Sequence, residues 1–185
     1  MINDFDFEGS RGLVRAAARS ARRIEALCDR ARAAGVPVVY VNDNFGRWRS
    51  DFSTTVRECA RPELPASAII ERLRPRAGDY FILKPQHSGF YSTPLELLLA
   101  HLRVHTLVLT GFAANLCVLF TANDAHMRGY RLVVPSDCTA SNSPSLTRRA
   151  LEHVETALAG DVRPSSRVDF ARLARQRKRP RVQAF

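Results

Sequence analysis

Two side chains stand out for the chemistry they can carry, an amine and a thiol. Of 28 basic residues only Lys84 and Lys178 are lysine, so this sequence meets nearly every need for positive charge with arginine. Lys178 falls in a terminal charge run, whereas Lys84 ends the apolar stretch Tyr80-Phe81-Ile82-Leu83. A compact ammonium on a flexible stem does what a guanidinium cannot, and its acidity shifts readily on burial. A lone lysine at a strand end is therefore a candidate for chemistry. Cys117 is the matching thiol. It follows the strand end Thr110-Gly111 and reads as part of the first turn of a helix. The positive end of a helix favours a thiolate, and a nearby ammonium favours it further. The free amides of the same turn can hold an oxyanion formed on a carbonyl. These are the requirements of nucleophilic attack at an acyl carbon. Position alone leaves the plain alternative, an inert buried cysteine, equally open.

The elements that must position these groups follow from periodicity. Residues 13–34 read as a helix, with Leu13, Ala17, Ile24, Leu27 and Ala31 on one side and arginines on the other, closed by Gly35. Residues 36–41 read as a buried strand entered through Pro37, and 42–65 as mostly loop, followed by a short helix over 66–73. A second strand covers 80–83, and Ser92-Thr93-Pro94-Leu95-Glu96 opens a helix. The pattern continues with a strand over 106–110, a helix over 115–128 closed by Gly129, a strand over 131–135, a helix over 144–159 and a weak strand near Val162. This alternation predicts a single α/β domain over 1–185, a doubly wound, mostly parallel sheet with helices on both faces. In such sheets the working site lies beyond the carboxyl ends of the strands. Lys84, the loop after Val41, and Gly111 to Cys117 all fall there.

Composition narrows the function classes. No apolar run reaches the roughly 18 residues of a membrane span. The start, Met1 to Gly9, is acidic and lacks the apolar centre of a leader, so a cytoplasmic protein is expected. Cys28, Cys59, Cys117 and Cys138 lie far apart without a CxxC pair, which argues against a disulfide framework or a structural metal. The net charge of +10 invites a nucleic-acid reading. Its basic residues are spread along the helices, however, and the only dense run opens the tail 175–185, expected to be solvated and flexible. Nucleic acid is not the expected partner; if it were, retention on DNA would fall steeply with salt and depend on that tail.

Gly111-Phe112-Ala113-Ala114-Asn115-Leu116-Cys117-Val118, followed by Thr121-Ala122, Asp124-Ala125 and Gly129-Tyr130, resembles the signature of the isochorismatase-like cysteine hydrolases of the isochorismatase/nicotinamidase superfamily. Lys84-Pro85-Gln86-His87-Ser88-Gly89-Phe90 looks like their lysine motif, and Asn3-Asp4-Phe5 is similar to the end of their N-terminal acidic motif. The resemblance implies an Asp–Lys–Cys triad in which Cys117 attacks the carbonyl and Lys84 stabilises the thiolate. It also implies an oxyanion hole from the amides of Ala113 and Cys117, a cis peptide at Phe112–Ala113, and a homo-oligomer. The departure is at the front. The family's acid falls just ahead of Met1, and the central first strand that carries it is missing too; Asp4 matches a structural Asp and Asp6 has no match. Two readings compete: a protein that starts about 10–20 residues earlier, one strand plus a lead-in, or a truncated relative without its acid. Losing a central strand would leave rows of unpaired backbone groups, which favours the first.

Nicotinamidases of this superfamily hold zinc through an Asp-x-His after the second strand plus a further His. The matching stretch here is Asn42-Asp43-Asn44-Phe45, with Phe45 where the His would be. No metal and no cofactor are expected, and a substrate other than nicotinamide. The thiol also argues against isochorismate, whose vinyl ether is cleaved without it. His87, His101, His105, His126 and His153 are scattered and read as surface or core residues. Phe45, Trp48, Tyr91 and Asn115 are candidate pocket residues, with Phe5 and Phe7 beneath the site. The expected function is hydrolysis of non-peptide C–N bonds in a small amide- or ureide-type substrate through a Cys117 thioester. The alternative is a pseudo-enzyme that keeps the pocket and binds a small molecule without turnover.

Overall fold

The computed structural model describes residues 2–5, 10–46, 51–64 and 66–175. Phe7, Asp6, Trp48 and the tail beyond Arg175 lie outside the described residues.

Helix α1 (Ser10–Ala33) buries Leu13, Ala17, Ile24, Leu27 and Ala31. Gly35, at φ +68°, ends it: the Gly35 amide donates to the Arg32 carbonyl at 3.0 Å and the Val36 amide to Ala31 at 2.9 Å. This double closure explains why strand β1 runs Val39–Asp43 rather than starting at Val36, since the Val36 amide is spent on the helix end and Pro37 has none. Within 42–65, read from sequence as loop, stands helix α2 (Phe52–Cys59), capped by Asp51, whose carboxylate accepts the Thr54 amide. Helix α3 (Ser67–Arg72) leads to strand β2 (Tyr80–Lys84), and helix α4 (Leu95–His101) to strand β3 (Thr106–Val108).

The expected strand over 106–110 stops early. Gly111, at φ +111°, turns the chain, and Gly111–Phe112 (β4) forms a ladder of its own. The expected helix over 115–128 begins as a wide π turn, Ala114–Val118, before the regular helix α5 (Leu119–Met127). Strand β5 (Arg131–Val133), the short β6 (Thr139–Ala140), helix α6 (Pro144–Thr156), capped by Ser143, and the short α7 (Phe170–Ala174) follow.

Every ladder is parallel: β1 with β2, β3 with β5, β4 with β6, as three two-stranded pieces among the described residues. The weak strand near Val162 appears as a single bridge between Asp161 and Val133. Alternate residues of one strand enter different cores. Val133 joins the cluster under α1 and α3 with Ile24, Ile70 and Phe5, while Leu132 and Val134 join Ile82, Leu99, Ala122 and Val154 under α4, α5 and α6. Because side chains alternate across a strand, this partition means that helices cover both faces. The fold is a doubly wound α/β arrangement with parallel ladders.

Candidate active site

The parallel register places Asp43 opposite Lys84 at the carboxyl ends of β1 and β2. The Lys84 side chain is 3% exposed, so its ammonium must find acceptors within the protein. It has three. Lys84 Nζ donates to the Asp43 carboxylate, to the Gln86 carbonyl at 2.9 Å, and to Cys117 Sγ at 3.6 Å. Amine and thiol thus meet at one rim of the sheet. Cys117 is half-buried, neither sealed into hydrocarbon nor fully open.

Cys117 lies within the π turn rather than in the first turn of an α-helix. That turn follows the Phe112–Ala113 peptide, which is cis. The amides of Leu116 and Val118 donate to the Ala113 carbonyl at 3.2 and 3.3 Å. The Cys117 amide between them takes no part in that pair of bonds, nor does the Ala113 amide. The Asn115 amide instead donates to the buried Ser141 hydroxyl at 3.2 Å, tying the turn to the end of β6.

Thr121, one turn along, is a site residue whose role sequence reading missed. Its hydroxyl donates to the Cys117 carbonyl at 2.6 Å and accepts the Gly89 amide at 2.9 Å, so one side chain fastens the lysine loop to the cysteine helix. Asp43 was missed as well. The readable signal was a buried lysine in need of a counter-charge and an aspartate ending the adjacent parallel strand.

A cavity of about 120 Å³ opens beside the sulfur, lined by Val41, Asp43, Lys84, Val108, Phe112, Cys117 and their neighbours. Of the sequence-derived pocket residues, Phe45, Tyr91 and Asn115 do not line it. Phe45, at φ +53°, turns away to a separate cavity of about 280 Å³ with Asp4, Thr55 and Glu58. Tyr91 is exposed, and Asn115 is engaged through its amide at Ser141. Trp48 lies outside the described residues. Phe5 is buried, its ring 6.4 Å from that of Phe112, beneath the site. At the position where nicotinamidases place a zinc-binding His, Phe45 offers no donor. Among the described residues no group of three His, Cys, Asp or Glu side chains gathers that can hold a metal ion.

A profile of the isochorismatase domain matches residues 1–163. The chain belongs to the isochorismatase family. It is 40% identical over 162 residues to the isochorismatase family protein YaaI of Bacillus subtilis, covering 88% of each chain. It is 36% identical over 173 residues to the ureidoacrylate amidohydrolase RutB of Methylobacterium radiotolerans, covering 82% of this chain and 64% of that protein's length. Among solved structures it is similar to an isochorismatase family protein from Desulfovibrio vulgaris, with TM-score 0.74 and 27% identity over 95% of both chains. It is also similar to N-carbamoylsarcosine amidase from Thermoplasma acidophilum, with TM-score 0.64 and 29% identity over 83% of this chain and 87% of the other. The family therefore includes hydrolases named for amide- and ureide-type substrates.

Proposed function

We propose that this chain is a hydrolase of non-peptide C–N bonds in a small amide- or ureide-type substrate, acting through a thioester on Cys117. The observation that carries this reading is the 3.6 Å approach of the Lys84 ammonium to the Cys117 sulfur at the mouth of a small cavity. An ammonium at that distance attracts a thiolate as it forms, and the thiolate is the nucleophilic species. The sulfur attacks the carbonyl carbon, and the charge on the carbonyl oxygen falls to the amides of Ala113 and Cys117. The C–N bond breaks and the nitrogen leaves with the proton given up by the thiol; water then adds its hydroxyl to the acyl carbon and returns a proton to the sulfur, releasing the acid and restoring the thiol. A cavity of about 120 Å³ admits a small group rather than a peptide chain. The relatives named for ureidoacrylate and N-carbamoylsarcosine support the substrate class.

A screen of small amides and ureides, run on the protein beside its Cys117→Ala variant, tests the reading. The expected result is turnover by the protein, loss of at least about 1,000-fold in the variant, and a mass increment on the Cys117 peptide under substrate. Equal turnover by both proteins would remove the nucleophile.

A further inference from the structure

We infer that the groove between α1 and α6 is a second ligand site, which takes a small molecule with a carboxylate or phosphate head and an apolar body. The inference stands apart from the hydrolase reading, because this groove and the thiol cavity share no lining residue. The groove has a volume of about 630 Å³, a size suited to a small molecule, against about 120 Å³ beside the sulfur. Its walls are fixed at one end. There α1 passes so close to the entry of α6 that a Cβ on Gly12 would lie 2.8 Å from the Asn142 carbonyl oxygen. A groove held open in this way spends little binding energy on ordering itself.

The head group follows from the donors that the groove leaves unspent. Arg15 and Arg19 stand one turn apart on the same face of α1, and neither makes an ion pair among the described residues. Ser20, beside them, is 8% exposed and lines the groove, and its hydroxyl has no hydrogen-bond partner among the described residues. A polar group buried to that degree is normally bonded, so this hydroxyl calls for an acceptor from the groove. Ser141, 2% exposed just past β6, accepts the Asn115 amide at 3.2 Å and keeps a hydrogen to give. Thr147, by contrast, is spent: it accepts the Ser141 amide at 2.9 Å and donates to the Ser143 carbonyl at 3.3 Å. Two guanidinium groups that only donate and two hydroxyls with hydrogens to spare match a group that only accepts, an oxyanion. The other charges on the groove belong to α6. Arg148 pairs with Glu152 at 3.6 Å, which leaves Glu155 against Arg15 and Arg19 and a positive surplus. The body follows from the walls, where Ala16, Pro144, Leu151 and Val162 present hydrocarbon. A bare ion would leave that surface in water, and an apolar body covers it.

Isothermal titration calorimetry at fixed ionic strength tests the site with four probes. Benzoate and phenyl phosphate carry both head and body, benzyl alcohol is a body alone, and inorganic phosphate is a head alone. At least one of the two organic anions is expected to bind with a Kd below about 1 mM, and the tighter of them tells carboxylate from phosphate. Benzyl alcohol and inorganic phosphate should bind at least about tenfold more weakly. Arg19→Gln should weaken the organic anion about tenfold and Ser20→Ala about threefold. Both replacements favour helix, so α1 keeps its fold, which circular dichroism checks. Alkylation of Cys117 by iodoacetamide fills the thiol cavity and should leave this binding unchanged. Loss of binding on alkylation places the ligand beside the sulfur and overturns the inference. So does the failure of both organic anions to bind, or an affinity unchanged in both Arg19→Gln and Ser20→Ala. Inorganic phosphate held as tightly as phenyl phosphate would mark an adventitious ion only, and would overturn it too.

Discussion

A buried ammonium is stable only when its hydrogens are matched, and Lys84 meets that condition with one carboxylate, one carbonyl and one sulfur. The sulfur differs from the other thiols. Burial pushes the Cys28 thiol up to about 11 and the Cys138 thiol up to about 12, and Cys59 is 4% exposed. Cys117 is half-buried at a cavity mouth with a cation beside it. Near neutral pH, a limiting dose of iodoacetamide should therefore mark Cys117 well before Cys28, Cys59 or Cys138, as peptide mapping would read. Lys84 and Cys117 were legible in the sequence because their types are scarce or their positions special. Asp43 was not, since its importance depends on a strand register that joins residues 41 positions apart in the chain. Phe45 misled for a local reason: its positive φ turns the ring toward α2 and away from the sulfur.

At the scale of elements, one hydroxyl joins the lysine loop to the cysteine helix. Thr121 ties the loop after β2 to the π turn before α5, and the glycine it holds is tightly enclosed. A Cβ on Gly89 would lie 2.9 Å from Val41 Cγ1 and 3.1 Å from Leu95 Cδ2, so the loop passes close beneath its neighbours. Thr121→Val keeps the shape and removes the hydroxyl, leaving the buried Gly89 amide without its partner. We expect a loss of about 1–2 kcal/mol in denaturant unfolding, with slower turnover because Lys84 and Cys117 lose their common tie. The helices over α1, α3 and α6 were readable from apolar spacing. Helix α2 was not, because Thr54, Thr55 and Val56 are β-branched and weaken the helical signal that the Asp51 cap supplies. The π turn is invisible to a search at 3.6 residues per turn.

For the whole molecule, the expectation of one parallel sheet covered on both faces holds in its strand directions and in its divided core, while the ladders fall into three pieces among the described residues. Strand direction follows from alternation with helices. How far each ladder runs depends on local turns such as Gly111. One ion pair couples the end of α1 to the entrance of β2. Arg32 grips Asp79 through two bonds of 3.1 and 2.7 Å, with the Asp79 side chain 5% exposed. Burial pushes the Asp79 carboxyl up, but the Arg32 guanidinium and the Arg76 amide outweigh it and hold the group below its ordinary value. A depressed carboxyl adds stability above the unfolded value of about 3.9, and that contribution disappears as pH falls through the lower folded value. Asp79→Asn should therefore cost about 2 kcal/mol near neutral pH and flatten the acid side of the stability curve, measured by urea unfolding across pH.

The scarcity of lysine gives the buried ammonium a practical use. A protein with two lysines, grown with nitrogen-15 in that amino acid alone, offers a side-chain nitrogen spectrum of two lines. The one from Lys84, with all three of its hydrogens engaged away from water, should exchange slowly enough to be seen. Its frequency would then follow the charge of the site during a titration or a reaction, without any dye, tag or substrate analogue.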